Sequence, residues 1–249
     1  MMTRALVNEF AKMRRRRAGV VAVALMVAVL ALTFFSIASG PGLRPGSPTA
    51  WNAVLAGLSF SMPMAAPLLL AVLASRQTDI EHDGGGWLLH AISGIPPGAV
   101  CRAKVIAMGL VVAVATLGVS ALAAVVGRTL VGIDAPFPAA HWAGFTVCSL
   151  IVNLVVLALH VMLSALVGNQ LVGLGIGVLG TLVALFSAGF PAALAHLTPW
   201  GYYSLIRAAD YRGKEIVALP LAYPSIAALA VAALVVLAVV TARFDRKEV

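Results

Sequence analysis

Charge is what this chain has least of. Only 10% of its 249 residues are Asp, Glu, Lys or Arg, against about 25% in an ordinary soluble domain. Hydrophobic residues make up 61%. The 17 basic and nine acidic residues leave five stretches wholly uncharged: Ala18–Leu43, Pro45–Ser75, Val105–Gly127, Ala135–Ile206 and Ile216–Ala242. A run of about 18 or more uncharged, mostly apolar residues reads as a membrane-spanning helix. The scarcity of charge therefore excludes a soluble enzyme. Cysteine is also scarce: Cys101 and Cys148 are expected at different depths, which excludes a disulfide framework or a cysteine-held metal.

Catalytic motifs are missing as well. The only Gly-Lys pair, Gly213-Lys214, is followed by Glu215, so no Walker A loop is formed. No Ser-centred nucleophile elbow occurs. His82, His90, His141 and His196 lack metal-ligand spacing with acidic or Cys partners. Gly175 to Gly180 formally match a dinucleotide-binding glycine pattern, but no acid follows until Asp210 and the motif lies in an apolar run. With Gly173, these glycines read instead as a close-packing surface for another helix. No catalytic residue, cofactor-binding residue or metal ligand is assigned to the chain.

What is present is an all-α, polytopic membrane architecture in one transmembrane domain covering residues 1–249. The spacing predicts spans near 18–39, 51–75, 105–127, 143–167, 171–189 and 222–242. Gly168-Asn169-Gln170 supplies the break that the 72-residue run Ala135–Ile206 requires. Continuous apolar runs favour helices over a barrel, whose strands alternate. Residues 1–17 form an interfacial helix, with Leu6, Phe10 and Met13 at helical spacing beside Arg4 and Lys12. The first apolar run is too long for the core of a signal peptide, despite the small residues at Ile37–Gly40, so an uncleaved anchor is expected. Twelve of the 17 basic residues fall on the side that holds both termini, which predicts cytoplasmic termini in a cell membrane. The basic balance thus reports topology and attraction to anionic lipid, not nucleic-acid binding.

Within the spans, Asn153, His160 and Ser164 stand seven and four residues apart and share one helix face. They read either as a strip along a translocation path or as helix–helix hydrogen bonds. Pro63 and Pro67 remove two backbone donors, predicting a kink or local unwinding that shapes the path or only the packing. Residues 190–221 form a long outer loop containing Trp200, Tyr202 and Tyr203. These aromatics read either as interface anchors or as a short re-entrant gate.

The loop 76–104 carries the most information. Asp79, Glu81 and Asp83 are three of only nine acids, and the Gly84-Gly85-Gly86 turn follows them. Trp87 to Ile92 then form a short helix ended by Ser93-Gly94 and Pro96-Pro97, before Arg102 and Lys104. Such a helix suits docking into a groove on another protein, or resting on lipid. This order resembles the first cytoplasmic loop of type-2 ABC exporter permeases, in which Glu, glycine, Leu-Leu, proline and basic residues precede the third span. Gly86 stands where that family often has Thr. The resemblance implies a coupling helix over Asp83–Ile92 that contacts an ATPase subunit through Glu81, Asp83, Gly85, Trp87, Leu88, Leu89 and Ile92. It further implies two ATPase copies holding ATP and Mg, a second permease chain, and export, and the charge-free spans suggest a hydrophobic or amphipathic cargo. The short chain looks most like permeases of lantibiotic-immunity and small drug-export systems. The rivals are an ATP-independent carrier or channel, an intramembrane enzyme using His160 and Ser164, and a non-transporting sensor subunit. The uncharged spans argue against ion coupling.

Overall fold

A computed structural model describes residues 2–39, 46–213 and 215–246. Gly40, Arg44, Lys214 and Lys247, which entered the sequence reading, lie outside the described residues. The chain runs α1 (Met2–Arg15), α2 (Ala18–Ser39), α3 (Ala50–Asp83), α4 (Gly86–Ile92), α5 (Pro97–Thr129), α6 (Ala139–Leu166) and α7 (Gln170–Phe186). Two short helices, α8 (Ala192–Ala195) and α9 (Tyr202–Leu205), and a hairpin of β1 (Ala209–Arg212) with β2 (Glu215–Ala218) precede α10 (Tyr223–Asp245). The hairpin is antiparallel, with Asp210 opposite Val217, and the sequence reading did not foresee it.

Among the described residues six helices are long and apolar enough to cross a membrane. Those at α3 and α5 run 34 and 33 residues, longer than the expected spans. At 1.5 Å per residue each is about 50 Å long, against a hydrocarbon core of roughly 30 Å. The excess lies at one end of the bundle and corrects the reading of 76–104 as a loop. Asp79, Glu81 and Asp83 ride on the last turns of α3, Cys101, Arg102 and Lys104 lie inside α5, and only a short connection holds α4 between them. Both cysteines are free and buried.

The core is built around α3, which packs against α2, α6 and α7 and is buried on most of its circumference. That enclosure explains a second correction. α3 stays helical through Pro63 and Pro67 without the unwinding expected there, because neighbouring helices hold a proline-bearing helix in place. The break before α7 occurs at Val167–Asn169, where the Asn169 side chain accepts from the Leu171 amide and caps the new helix. α7 buries only Gly173, Gly177, Gly180 and Ala184, whereas Gly175, read from the sequence as part of the same packing surface, is exposed because it stands half a turn away from Gly173 and Gly177. The opposite face, including Leu171, Leu179 and Phe186, is exposed.

α1, α4, the ends of α3 and α10 and the start of α5 gather at one end, called here the basic end. At the far end Trp51 stacks edge-on against Trp142 with ring centres 5.7 Å apart, and the Trp142 indole donates to Ser120.

Candidate functional site

Two polar regions stand out. The first sits at the basic end, beneath α4. Lys104 is 0% exposed, and its Nζ donates to Glu9 Oε2 and to the Gln77 carbonyl, each at 2.8 Å. The same ammonium lies 2.8 Å from Glu81 Oε1. Lys12 Nζ donates to Glu9 Oε1 at 3.0 Å and to the same Glu81 oxygen at 2.5 Å. Two carboxylates and two ammoniums from α1, α3 and α5 therefore close on one another with no net charge. Burial alone would lower the pKa of Lys12, but its bond to Glu81 and the charges of both carboxylates prevail and raise it.

His90 joins this cluster from α4. Its Nε2 lies 3.2 Å from Lys12 Nζ and 3.4 Å from Glu81 Oε2. Burial lowers its pKa, Glu81 opposes, and the neighbouring ammoniums add to the lowering, so the net shift is downward. A neutral ring can accept a proton from Lys12 in a hydrogen bond. Ligand atoms of Glu9, Glu81 and His90 come within 4.8 Å of one another, a grouping that sequence spacing could not show. It does not fit a metal ion, because Lys12 and Lys104 neutralise both carboxylates and hold both Glu9 oxygens and Glu81 Oε1, so a cation would meet two ammoniums in the same site.

The glycine turn makes this arrangement possible. Gly85 takes φ +60°, a conformation that side chains resist. A Cβ at Gly86 would collide with the Glu81 carboxylate, which accounts for glycine where the resembled family often has Thr. α4 then shows two faces. His90 turns inward, and Trp87 lies half-buried against His82 with ring centres 5.8 Å apart. Leu88, Leu89 and Ile92 are 56%, 62% and 75% exposed, while Glu81 is buried beneath them and Asp83 and Gly85 are exposed. The buried face of α1 is Ala5, Glu9 and Met13, with Leu6 packed beside it. Phe10 is instead exposed, a departure from the face read in the sequence, because Glu9 turns inward to reach Lys104.

The second region is the strip on α6. Asn153, His160 and Ser164 are all buried, and the structure divides them. Asn153 is fully bonded: its amide donates to Thr116 Oγ1 at 3.0 Å, and Tyr203 OH donates to its carbonyl oxygen at 2.6 Å. His160 faces the Trp200 ring with centres 5.8 Å apart, but neither ring nitrogen has a hydrogen-bond partner among the described residues. Ser164 Oγ and Trp200 Nε1 are likewise without partners. Ser164 and His160 lie one helical turn apart, and among the described residues no hydrogen bond joins the hydroxyl to the ring.

The segment after α7 does not stay at the far end. The Ala208 carbonyl accepts from His141 Nε2 at 2.8 Å near the start of α6, whereas Tyr203 meets Asn153 twelve residues further along that helix. Twelve residues correspond to about 18 Å of helix. Tyr202 and Tyr203 are buried inside the bundle, which sets aside their reading as lipid-interface anchors. Beside them a cavity of about 140 Å³ is lined by Ser59, Pro63, Tyr203, Ser204 and Arg207. Of the two prolines considered for a path in the sequence, Pro63 lines this cavity and Pro67 is packed within α3.

With this geometry in view, the family comparison is decisive. The model of the ABC-2 family transporter proteins matches residues 5–184, which is over two thirds of the chain. The chain belongs to the ABC-2 transporter family. No curated protein matches it closely enough to add a relative. The family match spans α1 through most of α7, so it includes the charged cluster, α4, the α6 strip and the glycine face. As an ABC-2 transporter the chain is a multi-pass membrane subunit of a transport system, and membership implies an ABC ATPase subunit as its partner.

Proposed function

We propose that this chain is the permease subunit of an ABC exporter, with both termini in the cytoplasm and the basic end facing the ATPase. The observation that carries this reading is α4. Three large apolar side chains, Leu88, Leu89 and Ile92, project from the end of the protein, while His90 and Trp87 hold the same helix from behind. An exposed apolar triad on a helix so anchored suits a groove on a partner subunit. Glu81 serves coupling from beneath, by tying α4 to α1, α3 and α5, and Asp83 and Gly85 flank the docking face.

ATP and Mg are held by the ATPase, two copies of which serve two permease chains. Closure of the ATPases pushes α4, and the charged cluster transmits that displacement to α1, α3 and α5 as a rigid-body change. The spans lining the path carry few charges, which suits a hydrophobic or amphipathic cargo such as an antibiotic, a membrane-active peptide or a lipid-like compound. The segment with Trp200, Tyr202 and Tyr203 acts as a re-entrant outer gate, a role supported by its reach toward the middle of α6.

The test is co-expression with the ATPase encoded beside this chain, followed by co-purification and ATPase measurement. Leu89→Asp and Ile92→Asp are expected to abolish association while the permease stays monodisperse. Association unchanged in both variants would remove the docking role of α4. Flux in ATP-free proteoliposomes driven by an ion gradient would favour a secondary carrier.

A further inference from the structure

The contact between α6 and α7 joins two surfaces that do not match chemically. On one side Ser164 and His160 stand four residues apart on α6, and the Trp200 indole continues their line. On the other side are three glycines of α7. A Cβ built on Gly173 would lie 3.5 Å from Ser164 Oγ, and one on Gly177 would lie 3.8 Å from His160 Cε1. The Trp200 ring presses directly on Gly180. Each polar group thus faces a residue with no side chain to answer it, and the backbone groups of α7 are engaged in their own helical ladder.

Burial makes the mismatch consequential. His160 is 0% exposed and Ser164 is 7% exposed, yet Ser164 Oγ, both His160 nitrogens and Trp200 Nε1 are unpartnered. A packing stripe would not need a hydrogen-bonding surface opposite it, and buried polar groups are ordinarily bonded. Asn153, on the same face of α6, follows that rule through Thr116 and Tyr203. Ser164 lies nearest the basic end, two residues from the end of α6, and His160 and Trp200 follow it toward the middle of the bundle.

We propose that Ser164, His160 and Trp200 form a recognition site for an uncharged hydrogen-bonding group, an amide or a hydroxyl, carried on an apolar cargo, and that α7 is its cover. This rests on the export reading above. The indole only donates, a neutral imidazole offers one donor and one acceptor, and the serine hydroxyl offers both. No ionised side chain stands among them, so a carboxylate or an ammonium on the cargo would be buried without a countercharge. The cover is suited to movement. Its buried face is Gly173, Gly177, Gly180 and Ala184, packed chiefly on α3 with Gly177 closest to Ala71, so it has no long side chains to disengage as it slides along α3, and it begins at the Gly168-Asn169 break.

The experiment uses the permease–ATPase complex in proteoliposomes, with Ser164→Cys in a Cys101→Ala, Cys148→Ala background. His160→Cys is a second reporter, so that a folding failure of one variant leaves the other. The rate of modification by a small water-soluble methanethiosulfonate is read without nucleotide and with ATP plus vanadate. Modification is expected to be fast in one condition and slow in the other. Dodecanamide is expected to protect Ser164→Cys where dodecanoate does not. Adding His160→Leu should weaken that protection about fivefold, the weight of one neutral hydrogen bond. Slow modification in every condition, with ATP hydrolysis intact, would overturn the moving cover and leave the export reading standing. Equal protection by amide and carboxylate would overturn the recognition chemistry. Failure of any ATPase to assemble would end the export reading, and the site with it.

Discussion

Two polar regions of this chain are buried to a similar degree and satisfied to opposite degrees. At the basic end, Glu9, Lys12, Glu81 and Lys104 bond one another from three helices. Along α6 and α7, Ser164, His160 and Trp200 present polar atoms to glycines and bond nothing. The contrast separates two uses of polarity in an apolar protein. A closed, charge-balanced cluster fixes the relative positions of the elements that supply it. An open row of donors and acceptors leaves bonding capacity for something else.

The largest effect that would break this comparison comes from Lys104. Lys104→Met removes one of two ammoniums and leaves Glu9 and Glu81 buried with a single partner. Breaking a buried pair in this way typically costs about 3–5 kcal/mol. Loss of monodisperse protein, or a steep fall in detergent-solubilised thermal stability, is the expected result. Stability unchanged in Lys104→Met would show that the cluster is not closed.

Next comes Asn153→Leu, which strands Tyr203 OH and Thr116 Oγ1. An unsatisfied buried group costs about 1–3 kcal/mol, so a clear loss of thermal stability is expected, smaller than for Lys104→Met. The same variant should loosen the segment around Tyr203, measured as faster hydrogen exchange over residues 199–205.

These two regions were not equally legible in the sequence. The α6 strip was visible because period 3.6 alone places Asn153, His160 and Ser164 together, and the glycines of α7 declared a packing face. Which strip members were bonded could not be read, because Thr116 and Tyr203 arrive from positions 37 and 50 residues away. The cluster at the basic end was hidden for a related reason. Glu9 and Lys104 are 95 residues apart, and charges at helix ends resemble a solvated boundary until tertiary contacts bury them. The order Glu81, glycine turn, Leu-Leu and prolines did locate α4, since breakers and apolar residues act locally. It did not reveal that Glu81 points inward.

A smaller effect concerns pH. The His90 pKa is lowered from its ordinary 6.5 in the folded protein. An unfolded or undocked α4 therefore binds more protons below that value, so stability is fully present above 6.5 and declines as pH falls toward the folded pKa. Protection of the α4 amides, taken relative to their intrinsic exchange rates at each pH, should fall between neutral pH and pH below 6, and His90→Gln should flatten that dependence. The groups facing the ring are Lys12 and Glu81, with Glu9 and Lys104 behind them, and the raised pKa of Lys12 keeps its ammonium charged through this range. A profile that stays steep in His90→Gln would assign the dependence elsewhere.

The smallest expected change in stability is the sharpest test of the contrast. His160→Leu exchanges one buried ring for an apolar side chain of similar bulk. Were His160 bonded as Asn153 is, the substitution would carry a comparable penalty. Because both ring nitrogens lack partners, no hydrogen bond is lost and a costly buried polar group is removed. The edge-on contact with Trp200 is lost in exchange, an effect of about 1 kcal/mol in the opposite direction. The two contributions should cancel to within about 1 kcal/mol, leaving thermal stability nearly unchanged or slightly raised. A loss matching that of Asn153→Leu would mean that the row along α7 is bonded after all, and the two regions would then differ only in charge.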